Sequence, residues 1–152
     1  MFRFTPPLAL VATAFGVSAA LAQDTPTLNV AEMGDFGQYI TGPGDKPVYM
    51  FTTDTHGNGG DAAISCTSPE CLEAWPLVTA EGDVAVGPEL DETLIGTVEH
   101  DGQSVVTYNG WPLYTFARDQ AGQAPQGHDI ESFGGEWYLV DPQGQVIEES
   151  GT

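Results

Sequence analysis

Pro47-Val48-Tyr49-Met50-Phe51-Thr52-Thr53-Asp54 and Pro112-Leu113-Tyr114-Thr115-Phe116-Ala117-Arg118-Asp119 spell one pattern twice: proline, aliphatic, tyrosine, any residue, phenylalanine, two further residues, aspartate. Each copy runs three residues on to a glycine, Gly57 or Gly122, and later reaches a tryptophan, Trp75 or Trp137. Self-similarity of this kind predicts a duplication, with repeat 1 over about 37–80 and repeat 2 over about 104–142. In the first copy Val48, Met50 and Thr52 alternate with Tyr49, Phe51 and Thr53; in the second, Leu113, Thr115 and Ala117 alternate with Tyr114, Phe116 and Arg118. A period of two is that of a half-buried strand. The paired aromatics predict packing of one copy against the other, and Asp54 and Asp119 close the strands as turn formers.

Working outward, Val30–Met33, Val84–Val86, Thr93–His100, Ser104–Asn109, Glu136–Val140 and Gln145–Glu148 read as further strands. Asp101-Gly102 and Asn109-Gly110 are hairpin signals. One helical turn interrupts them: Ser68 is a suitable N-cap, Pro69 suits the first helical position, and Pro76 stops the helix after Trp75. The expected fold is all-β: a small, mostly antiparallel domain of two tandem pseudo-symmetric repeats with one short helical turn.

The first 22 residues read as an export signal, with Arg3 at the positive end, an apolar run from Leu8 to Leu21, and Ala20-Leu21-Ala22 as a small-residue cleavage site. The mature chain, 23–152, is then one domain's length. The alternative is an uncleaved anchor, but the run is short of the roughly 20 residues a spanning helix needs. No membrane insertion is expected after cleavage, and the destination is the periplasm or the cell exterior.

Acidic residues number 22, all beyond the leader, where only Lys46 and Arg118 oppose them; the whole chain carries a formal charge of −19. Such a field repels nucleic acid and anionic membrane and favours cations, cationic partners or simple solubility. Cys66 and Cys71 are the only two cysteines, and in an exported chain a disulfide is the expected reading, beside a reactive pair or metal ligands.

These motifs resemble a family of bacterial secreted repeats of unknown function, envelope lipoproteins marked by Tyr-x-aromatic-x-x-Asp. Tyr49 to Asp54 and Tyr114 to Asp119 both fit it. Cys66, Cys71 and Trp75-Pro76 are similar to the family's Cys…Cys…Trp-Pro segment, and Tyr108-Asn109-Gly110-Trp111-Pro112-Leu113-Tyr114 resembles its Tyr-Asn-Gly-x-Pro-Leu-Tyr signature. The family's cysteines usually lie one residue closer together, and many members carry a lipid-modified cysteine after the signal that this chain lacks. The resemblance implies no reaction and no cofactor.

Candidate chemistry is thin. Asp54, Asn58 and Asp61, with Asp119 if the repeats converge, offer oxygen ligands to a calcium-like cation. Against this stands a glycine-rich turn in which each aspartate caps its own loop. Tyr49, Phe51, Trp75, Tyr108, Trp111, Tyr114, Phe116 and Trp137 would line a ligand groove or else form the core. His56, His100 and His128 lack any metal-binding spacing, and no nucleophile elbow, zinc-protease helix or phosphate loop appears. The expected function is a non-catalytic binding or envelope interaction module with a protein or glycan partner. A small cation-binding protein is the alternative, and a hydrolase a distant one.

Overall fold

The computed structural model describes residues 26–57 and 61–148; the leader and Asn58 lie outside them. Its elements run β1 (Thr27–Glu32), a 3-10 turn (Gly34–Phe36), β2 (Gln38–Thr41), a second such turn (Pro43–Asp45), β3 (Tyr49–Phe51), α1 (Pro69–Ala74), β4 (Thr79–Ala80), β5 (Ala85–Val86), a third turn (Glu92–Leu94), β6 (Ile95–His100), β7 (Gln103–Tyr108), β8 (Trp111–Pro112), β9 (Ile130–Ser132) and β10 (Gly135–Leu139). Three small sheets result, ordered β2-β1-β5, β3-β10-β9 and β4-β7-β6, with β8 added to β7. All pairings are antiparallel except β1 with β5. The all-β expectation therefore holds. Among the described residues no helix is long and apolar enough to cross a membrane.

The alternation of the first motif copy has a different meaning from the one expected. Val48 and Met50 enter one core cluster with Val106, Leu113 and Val140, while Tyr49 and Phe51 enter a second with Trp75, Tyr114 and Trp137. Both faces of β3 are buried, so the strand is a wall between two cores rather than a half-buried surface.

The second copy does not form an equivalent strand. Its Trp111–Pro112 pairs with β7, and Tyr114 makes isolated bridges to Tyr49 and Leu77. The two copies therefore do not appear as two equal sheets; their correspondence is confined to a few side chains, described below. Gln145–Glu148, expected as a strand, contributes only the bridge from Val146 to Val140.

Local signals are followed closely elsewhere. Ser68 Oγ accepts from the Cys71 amide at 3.2 Å and caps α1, whose first residue is Pro69. Cys66 and Cys71 form a disulfide with a Cα separation of 5.7 Å. Asp101-Gly102 and Asn109-Gly110 both take left-handed backbone angles, as the two-residue hairpin turn requires.

Candidate functional site

The geometry shared by the two motif copies is reciprocal. Tyr49 and Tyr114 exchange both backbone hydrogen bonds, at 2.8 and 3.0 Å. From there each phenol reaches the other copy's aspartate: Tyr49 donates to Asp119 Oδ2 at 2.5 Å and Tyr114 to Asp54 Oδ2 at 2.7 Å. Each aspartate also caps the loop that follows it. Asp54 Oδ1 accepts from the Ser65 amide and hydroxyl at 2.8 and 2.7 Å, and Asp119 Oδ1 accepts from the Gln126 amide at 2.8 Å. Both carboxyls are pushed above the ordinary aspartate range, first by burial, with these hydrogen bonds opposing the rise.

Between the two pairs lies a stack of four rings. Trp75 and Trp137 are parallel, with centroids 4.0 Å apart. Phe51 covers the outer face of Trp137 at 3.9 Å, and Phe116 that of Trp75 at 4.3 Å. Tyr49 meets Trp75 edge-on at 5.4 Å and Tyr114 meets Trp137 edge-on at 4.9 Å. Each offset or edge contact of this kind adds about 0.5–1.5 kcal/mol beyond area burial.

Tyr49, Phe51, Trp75, Tyr108, Tyr114 and Phe116 are buried, so they form core and not an open groove. Trp111 alone of that set is partly exposed, and it stacks on His56 at 4.2 Å. His56 Nε2 in turn bonds the Asn109 carbonyl at 2.5 Å, which fastens the Asn109-Gly110 turn to the loop after β3.

Of the cation set, Asp54, Asp61 and Asp119 are among the described residues. Asp54 and Asp119 have both oxygens engaged by protein donors, and Asp61 is exposed. Among the described residues no three histidine, cysteine, aspartate or glutamate side chains converge as metal ligands would.

A surface feature that the sequence reading missed is the β9–β10 hairpin. Its two-residue loop is Phe133-Gly134, with φ of 55° and 86°, the same hand as the other two hairpins. A phenylalanine stands where those turns carry Asp101 and Asn109. Bulky residues rarely adopt this conformation, because Cβ crowds the carbonyl oxygen. Among the described residues Phe133 is the one exposed large hydrophobic side chain, at 47%. Behind it Glu131 and Glu136 face each other across the strands, both exposed. Like charges directly opposite are destabilising. The hairpin is held from within by Trp137, whose indole N–H donates to the Ser132 carbonyl at 3.3 Å. The signal available in the sequence was the glycine pair Gly134-Gly135 between Ile130 and Trp137.

Residues 97–141 match the family model described as a secreted repeat of unknown function. That stretch contains the second motif copy and the β9–β10 hairpin; the first copy lies outside it. No curated protein and no solved structure matches the chain. Over residues 97–141, then, this chain is similar to a secreted repeat of unknown function, the family its Tyr–Asp motifs resemble.

Proposed function

We propose that this chain is a non-catalytic interaction module of the bacterial envelope, exported with loss of residues 1–22 to the periplasm or the cell exterior, and that it docks a cationic protein through the β9–β10 hairpin. The observation that carries this reading is Phe133: an apolar ring held exposed, in a backbone conformation unfavourable to it, at a tip ringed by Glu131 and Glu136. Local violations that persist together belong to sites where something other than stability is selected. An aromatic knob framed by carboxylates fits an apolar pocket framed by Lys or Arg, and the chain's charge of −19 steers such a partner in. The family's secreted character supports export.

The test places a photo-crosslinking amino acid at position 133 in the producing cell. The reading expects one discrete protein adduct with a basic contact surface, lost when Glu131→Lys and Glu136→Lys are combined. Adducts to glycan or lipid, or a protein ladder indifferent to those charges, would overturn it.

A further inference from the structure

The buried aromatic stack has the parts of a redox relay. Of the three tryptophans in the chain, Trp75 and Trp137 lie face to face within the Phe51 and Phe116 rings. A positive charge on this pair would sit between ring faces, the arrangement that stabilises a cation through the ring quadrupole. Each indole is touched at its edge by one tyrosine, and each of those phenols already donates its proton to a buried aspartate. Tyr108 is different: its hydroxyl donates to the Pro142 carbonyl, which is a far weaker base than a carboxylate.

We propose that the Trp75–Trp137 pair accepts the hole left by a one-electron oxidant and passes it to Tyr49 or Tyr114, whose phenolic proton moves to Asp119 or Asp54. The oxidant is of the oxygen-centred radical class; it takes one electron from the indole pair and departs as its anion. The indole radical cation then takes one electron from the phenol, while the O–H bond breaks toward the carboxylate oxygen that accepts it. Indole, phenoxyl radical and carboxylic acid are all neutral, so the step leaves no net charge in the core, where unpaired charge is costly. A reductant of the ascorbate class returns the electron, and the aspartic acid returns the proton. Burial raises both phenols well above their ordinary range, so neither ionises at rest and each is oxidised from its protonated form.

The experiment is flash photoionisation at the long-wavelength edge of indole absorption, where phenols do not absorb, on the chain carrying Trp111→Phe, so that only the stacked indoles are excited. Nitrous oxide removes the ejected electron, and an alcohol removes the hydroxyl radical this forms. The tryptophanyl absorption should decay at a rate independent of protein concentration while tyrosyl absorption rises at the same rate, and both should slow in heavy water. In the isosteric double variant Asp54→Asn/Asp119→Asn the transfer should be at least about tenfold slower, the equivalent of about 1.4 kcal/mol in the barrier. Decay of the tryptophanyl signal by radical encounter with no tyrosyl rise would overturn the relay, as would a tyrosyl rise unaffected by heavy water. If the double variant fails to fold, the heavy-water comparison on the parent chain decides alone.

Discussion

Gly127 lies against Trp75, and a Cβ built on it would come within 2.9 Å of both Cη2 and Cζ3 of the indole and of Cζ of Tyr49. Its amide also donates to the Tyr49 hydroxyl at 3.1 Å. The indole is locked by Trp137 and Phe116 on its two faces, so it has nowhere to move. Gly127→Ala should lower stability by about 1–3 kcal/mol, the usual range for overpacking. Gly82→Ala, where a methyl meets open space, serves as the control in urea titrations and should change little.

Replacing Phe133 by asparagine should stabilise the protein by roughly 0.5–1 kcal/mol, because asparagine tolerates the left-handed angle and completes an Asn-Gly turn. Glu131→Lys should add a few tenths, since it converts a like-charged cross-strand pair into an opposite one. Thermal denaturation checks both. The same changes should abolish partner capture, so stability and docking move in opposite directions.

Loss of either buried phenol hydroxyl should be costly. Tyr49→Phe removes a donor from buried Asp119, and Tyr114→Phe removes one from Asp54. Each should lower stability by about 1.5–3 kcal/mol, the range for a hydrogen bond to a charged group. Tyr138 donates to the exposed Glu136, and Tyr138→Phe should stay within about 0.5 kcal/mol. Paired denaturation curves of the three variants make the comparison.

The two aspartates also set a pH dependence. Their carboxyls titrate above the ordinary value of 3.8 because burial disfavours the charged form. The folded state therefore binds these protons more tightly than the unfolded state. Their contribution is full below pH 3.8 and is lost as pH rises through the raised folded values, so stability should fall across that window. The slope of unfolding free energy against pH should be shallower in Asp119→Asn than in the parent chain.

Breaking the Cys66–Cys71 bridge by the double change to serine should cost about 2 kcal/mol in the chain-entropy model for so short a loop. The rest of the fold should persist, because the bridge pins only α1 and its approach. Circular dichroism before and after reduction reads this directly.

Much of this architecture was legible because local chemistry and tertiary structure agree. Ser68-Pro69 begins α1, Asn109-Gly110 and Asp101-Gly102 turn their hairpins, and the repeated Tyr-x-Phe-x-x-Asp marks residues that do interlock. The partners of the motif aromatics and of the motif aspartates stay hidden in the sequence for a shared reason. Alternation in a strand shows that one face differs from the other but not that one face is wet, and β3 is buried on both. Likewise an aspartate that ends a strand has the same spelling whether its oxygens await a cation or already accept a tyrosine from the other copy. The β9–β10 hairpin escaped because Phe133 is not a turn-forming residue; the surrounding fold imposes its conformation.

The position of β3 between two cores has a kinetic meaning as well. Val48 and Met50 anchor one cluster, Tyr49 and Phe51 the other, and Tyr49 and Tyr114 close the seam with paired amide bonds. Neither cluster can open without stripping a wall from its neighbour, so partial unfolding of one half is not an available route. Amide protons at Tyr49 and Tyr114 should exchange with solvent only when the whole molecule unfolds, and at the same free energy, although 65 positions separate them in the chain.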